Sequence, residues 1–348
     1  MTFGYGGLAT RAVSPRFESR IGRKRVSTRQ NRARFLVSCC SSRVFLETLI
    51  RMQNIAKRAT SLATSLAIVL FSSSAVAAEK TEGRKTFRFA IQEKKTIRKV
   101  PTTQVAIRVD EWPDQTFLLW LPESVAPHWG NWKAGMAHQE FTKTTGGGLL
   151  WEYATRPDVK IVAKLVPRAH SLLLEVRVQN LANHDAKNIA VQNCFHLSSA
   201  EDFACTDFSR IHIQTDGGWK SLRQLAPTVD MPMYYRREFL ESGRRDSWGG
   251  EFRKYNQTTR VDHPLIVCTS KDGKHAVGTA SEDFQCVFHN QLPYLRCIHS
   301  QQAPIAVLAA HREAAFRQVI YFVDGGISEC ESAFRKDVKQ GEFRPPHD

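Results

Sequence analysis

The stretch "SLLLEVRVQNLANHDAKNIAVQNCFHLS", residues 171–198, decides the fold class. In its first ten residues Leu172, Leu174, Val176 and Val178 alternate with Leu173, Glu175, Arg177 and Gln179. This period of two is that of a strand burying one face. The Asn- and Asp-rich "NLANHDAKN" that follows is turn chemistry. The alternation then resumes, with Ile189, Val191, Phe195 and Leu197 on one face and Gln192, Cys194, His196 and Ser198 on the other.

The same pattern extends outward in both directions. "TFRFAIQ", "TFLLWLP" and "VKIVAKLV" precede it, and "QCVFHN", "YLRCIHSQ", "PIAVLAA" and "RQVIYFV" follow. Asp216-Gly217-Gly218 and Asp272-Gly273 are hairpin turns, since glycine takes positive φ without steric cost. Helical periodicity is confined to "ISECESAFRKDV", where Ser328 and Glu331 form a capping box and Cys330, Phe334 and Val338 recur every four residues. These features predict an all-β fold, a large antiparallel β-sandwich with a short C-terminal helix near residues 329–339.

The chain has 348 residues and a formal net charge of +15, a balance that by itself suggests nucleic acid or an acidic membrane as partner. Its distribution argues otherwise. Residues 1–51 hold 11 of the 49 Lys and Arg and two acids, whereas residues 78–348 hold 36 basic and 32 acidic side chains. Residues 52–77 have a basic start at Lys57-Arg58, an apolar centre from Leu62 to Phe71 and small residues at Ala75-Val76-Ala77. That is the pattern of a secretory signal peptide cleaved after about Ala77. Thr64, Ser65 and Ser72–Ser74 interrupt the run, so no stable membrane span is expected. Residues 1–51 then read as a mis-assigned start or a disordered basic extension, with Met52 the expected start of translation. Residues 78–348 read as a single exported domain, periplasmic or extracellular, and nucleic acid is not an expected partner. Oligomeric state has no signature in this sequence.

Export places Cys194, Cys205, Cys268, Cys286, Cys297 and Cys330 in an oxidising compartment, where one to three disulfides are expected. No CxxC pair is present, so a thiolate zinc knuckle has no support, and since strand histidines are mostly structural or solvent-facing no metal or other cofactor is expected. Three strands each carry a histidine on a part-polar face: His196, His289 and His299. Strand neighbours would bring them together as metal ligands or as an acid and a base, the second being the preferred expectation.

The succession "LLLEVRVQN…HDAKNIAVQNCFHLS", then "LRCIHSQQAP" and "FRQVIYFV", resembles the galactose-mutarotase-like group over residues 110–325. The resemblance implies a β-supersandwich that binds sugars in a groove. It implies a catalytic role for His196, which matches the family's "HxYFNL" strand. His299 stands where the late "CLExQ" strand supplies a glutamate, so epimerisation would need a carboxylate from elsewhere, with Glu175, Glu282 and Asp283 as candidates.

Two loops add candidate sugar contacts. "APHWGNWKAGMAHQEF" offers His128, Trp129, Trp132 and His138, and indole faces pack on pyranose rings. "MPMYYRREFLESGRRDSWGGEFRKY" combines Tyr234, Tyr235 and Trp248 with Arg236, Arg237, Arg244 and Arg245, suited to acidic substituents. The sequence thus predicts an exported carbohydrate-binding or carbohydrate-acting protein. Its catalytic candidates are His196 and His299. The binding candidates are Trp129, Trp132, His128, Arg177, Gln192, Arg236, Arg237 and His289. An enzyme reading is a sugar epimerase or a polysaccharide lyase or hydrolase; the alternative is a non-catalytic cell-envelope or protein-interaction module of the same fold.

Overall fold

A computed structural model describes residues 84–95, 101–126, 140–241, 255–292 and 295–344. The chain divides into two compact units, Met1–Glu79 and Lys80–Asp348, and every described residue lies in the second. The expected signal peptide and basic extension lie outside the described residues.

Strands dominate, as the alternation requires, and they form two antiparallel sheets. The first runs in the order β1 (Phe87–Lys95), β2 (Pro101–Val109), β3 (Trp112–Ala126), β8 (Ala186–His196), β15 (Leu295–Gln302), β14 (Phe284–Leu292) and β11 (Met233–Tyr235). A short strand, β16 (Ile305–Leu308), also pairs with β8. The second runs β10 (Gly218–Ser221), β9 (Ile211–Thr215), β12 (Ile266–Thr269), β13 (His275–Ser281), β17 (Glu313–Asp324), β7 (Ser171–Asn180), β6 (Val159–Pro167), β5 (Leu149–Arg156) and β4 (Thr142–Lys143).

The inner faces of the two sheets share one core. Leu172, Leu174, Val176 and Val178 of β7 meet Ile189, Val191 and Phe195 of β8 and Leu119 of β3, all essentially inaccessible to water. Aromatic rings bridge the layers: Phe322 of β17 lies edge-on to Phe117 at 5.4 Å and to Phe195 at 5.8 Å. The all-β sandwich is therefore the observed architecture. The Asn-rich turn after β7 does not close a hairpin, because β7 and β8 belong to different sheets. It is a crossing fixed by buried Asn180, whose Nδ2 donates to the carbonyls of His184 at 2.8 Å and Leu308 at 3.1 Å. Both glycine turns do close hairpins, β9–β10 and β12–β13, with Gly218 at φ +85° and Gly273 at φ +71°.

The terminal helix is present as α2 (Ile327–Lys339), after a five-residue helix α1 (Arg237–Glu241). Its cap differs from the expected Ser328/Glu331 pair. Glu329 accepts the N–H of Gly326 at 2.7 Å, and Glu331 instead accepts Trp219 Nε1 at 2.7 Å. Cys330, Ala333 and Phe334 pack on the outer face of the second sheet, against Val267, Ala276, Val319 and Tyr321.

Gly278 of β13 sets how near α2 comes. A Cβ there would lie 2.5 Å from Cys330 Sγ and 3.0 Å from Leu265 Cδ1. We expect Gly278→Ala to cost about 1–3 kcal/mol by overpacking, read as a lower urea midpoint. Adding Cys330→Ala should recover part of the loss; a double variant no more stable than Gly278→Ala would show that the helix does not sense this contact.

Candidate functional site

Three neighbouring strands of the first sheet build the site: β3, β8 and β15. In an antiparallel pair, residues opposite each other point to the same face. Cys297 is opposite His196, and Ile298 is opposite Phe195. Phe195 and Ile298 enter the core, so Cys194, His196, Cys297 and His299 all point out of the other face. The sequence "CFH" on β8 and "CIH" on β15 run in opposite directions, so each cysteine meets a histidine. The result is a square of two thiols and two imidazoles, all four side chains buried.

Its internal contacts are short. His299 Nε2 lies 2.9 Å from Cys297 Sγ and 3.5 Å from Cys194 Sγ. His299 Nδ1 lies 3.1 Å from the carbonyl of Asn193, which as an acceptor assigns the proton to Nδ1 and directs Nε2 at the sulfurs. Phe288 stacks on the His299 ring at 4.1 Å and 6°, fixing its plane. Trp120 stands edge-on to His196 at 4.5 Å. Burial alone would raise the Cys297 thiol, but the Cys194 hydrogen bond and the adjacent His299 imidazole bring it below the usual cysteine range. Burial opposes the charged form of His299, yet Cys297 and then Glu123 hold its pKa above the ordinary histidine value. Cys194 is pushed well up, first by burial.

Glu123 completes the cluster, and the alternation did not reveal it. Trp120 is opposite Cys194, but the next matched pair is Ser124 with Gln192, so β3 carries two more residues than β8 over this interval. Pro122 lies in the irregularity, where a residue without an N–H is tolerated. Beyond it Glu123 turns to the Cys194 side, accepting a hydrogen bond from Gln192 Nε2. It is half-buried. Desolvation raises its pKa to about 7, with His299 pulling the other way.

The other expected residues lie elsewhere. His289 is opposite Ile298 and so points to the core face, away from His196 and His299. It sits 3.0 Å from the Cys297 carbonyl through Nδ1 and edge-on to Phe208 at 5.7 Å, and burial lowers its pKa to about 3. The three histidines therefore do not converge, although their strands are neighbours. Arg177 is on β7 of the second sheet, paired with Glu175 at 2.7 Å and Glu313 at 3.5 Å. Arg236 pairs with Glu238 and Asp283, its guanidinium over Phe239. Exposed Arg237 reaches Asp216 and Asp262. Glu175 is held by Arg177 and Arg317, Glu282 lies near Arg317, and Asp283 pairs with Arg236, so none of the three carboxylates enters the cluster. His128, Trp129, Trp132, His138, Arg244, Arg245 and Trp248 lie outside the described residues.

The expected disulfides are absent: all six downstream cysteines are buried free thiols. Cys194 and Cys297 are reduced although their sulfurs lie within 4.8 Å of each other. The expectation of no metal rested on the missing CxxC spacing and on strand histidines being structural, and here potential ligands assemble across strands. Among the described residues, Cys194, His196 and Cys297 offer ligand atoms within 4.8 Å of one another, as do Glu123, Cys194 and His299.

No family model matches the sequence, and no curated relative does. Solved structures do match. They include a galactose mutarotase related enzyme from Lactobacillus acidophilus, 8% identical, covering 69% of this chain and 99% of its own, TM-score 0.39. A galactose mutarotase-like protein from Lactobacillus casei is 6% identical, covering 68% and 100%, TM-score 0.39. An aldose epimerase homologue from C. elegans is 8% identical, covering 69% and 100%, TM-score 0.35. These belong to the group that the strand motifs resemble. At such identities and TM-scores they transfer no residue role to this chain.

The Glu123 carboxyl yields a linkage prediction. The fold holds its proton up to about pH 7, whereas the ordinary carboxyl releases it near 4.5. The folded state thus binds more protons in that interval, and this contribution to stability falls as pH rises through it. Glu123→Gln cannot ionise. Urea midpoints of the variant should decline less than those of the parent between pH 4.5 and 7; parallel curves would place the retained proton on another group.

Proposed function

We propose that this chain binds carbohydrate on the outer face of its first sheet, and that Glu123 with His299 forms the proton-transfer pair of a sugar-acting enzyme. The observation that supports this reading is the placement of a carboxyl and an imidazole on one face of β3, β8 and β15, with the Gln192 amide beside them. Epimerisation at an anomeric carbon needs one group to take the hydroxyl proton and another to protonate the ring oxygen. A carboxyl titrating near neutrality serves either role. Glu123 supplies the carboxylate that the position of His299 removes from the late strand. His196, also on this face, is a second imidazole, buried beside Trp120. Sugar as the substrate class comes from the strand motifs around His196 and His299. Export by cleavage after about Ala77 belongs to the same proposal.

The test is glycan binding by the purified chain over neutral and acidic glycans, followed by anomeric-exchange measurements on any reducing sugar that binds. We expect Glu123→Gln to keep binding within a few fold and to lose turnover by about 10²-fold or more. Binding with no exchange in the parent protein would leave a lectin-like function and remove the enzyme. If no glycan binds, the carbohydrate reading fails and a protein-interaction module takes its place.

A further inference from the structure

We infer that Cys194, His196, Cys297 and His299 form a binding site for one zinc-class divalent ion. The inference needs no sugar on that face, and it competes with the proposed activity for His299 Nε2. It begins with the register. Two C-x-H segments on antiparallel neighbours present two sulfurs and two imidazoles on one face, with His196 and His299 on either side of the two sulfurs. Cys194, His196 and Cys297 already hold their ligand atoms within 4.8 Å of one another.

The dimensions suit zinc. Bonds of about 2.3 Å to sulfur and 2.0 Å to nitrogen give a tetrahedral sulfur–nitrogen edge of about 3.5 Å. Cys194 Sγ and His299 Nε2 are 3.5 Å apart. Cys297 Sγ, at 2.9 Å from the same nitrogen, has to open by roughly half an ångström to reach that edge. His299 carries the outer contact that a ligating imidazole needs, its Nδ1 proton given to the Asn193 carbonyl. Phe288, flat against the ring, holds it in that orientation.

Charge and donor type narrow the ion. Sulfur donors exclude magnesium and calcium, which take oxygen. Two thiolates and a divalent ion sum to zero, suited to a buried site, whereas copper(I) would leave one negative charge. Coordination expels two protons from the four side chains. It also occupies His299 Nε2, so a zinc-loaded chain cannot use His299 for proton transfer, and metal content has to be fixed before any sugar assay is read.

The experiment is metal analysis of the full chain expressed in zinc-supplemented medium, with cobalt(II) substitution as the optical probe. We expect about one zinc per chain after dialysis against a weak chelator, release of two protons per zinc rebound, and a thiolate-to-cobalt charge-transfer band. Cys194→Ser/Cys297→Ser should lose the band and retain less than a tenth of the zinc. His299→Ala should weaken zinc by ten-fold or more. A parent protein that retains no zinc and gives no cobalt band overturns the inference, and that measurement requires no variant to fold. Full zinc retention in the double serine variant, or selective retention of copper over zinc, overturns it equally.

Discussion

The pairing of β8 with β15 is the constraint on which the site depends. With Cys297 opposite His196, both C-x-H segments present cysteine and histidine outward and send Phe195 and Ile298 into the core. A slip of one residue would reverse this, putting the polar four into the sandwich and the apolar two outside. Burial of Phe195 and Ile298 therefore locks the register, and the register positions the chemistry. The polar square costs desolvation, but it is attached to apolar neighbours that have one acceptable orientation.

Glu123 obeys a different logic. It reaches the cluster through a break in strand regularity, where β3 spends two extra residues around Pro122. Regular strands can place only alternate residues on a given face. An odd-numbered carboxylate among Leu119, Leu121 and Val125 needs such a break to leave the core side. Once there it is partly desolvated and hydrogen-bonded by Gln192, and these surroundings bring its titration near neutral pH.

Much of the fold was legible because period-two alternation is a direct record of burial. Leu172, Leu174, Val176 and Val178 could be assigned to a core without knowing their partners, and the glycine turns located two hairpins. Cys194 and His196 could be placed on one face for the same reason. What alternation cannot encode is which strands become neighbours and in what phase. His289 has the same local pattern as His299, yet the phase of β14 against β15 turns it to the core. The arginines carried no phase information about the cluster, being at the start of α1 or on the other sheet. Glu123 was hidden by the irregularity that makes it useful; the proline inside "WLPESV" was its one sequence mark. The capping residues of α2 shifted by two because the Gly325-Gly326 reversal after β17 starts the helix earlier.

The crossing at Asn180 separates β7 from β8 into different layers, and the strands that build the cluster are drawn from residues 112–302. A nascent chain that has emerged only through β8 carries one half of the thiol–imidazole set, with about a hundred residues still to be made before the other half exists. Pairing over such separations is slow to nucleate because the intervening loop must close first. The chemistry of this face is consequently a late acquisition in the life of each molecule, appearing only after β15 has been made.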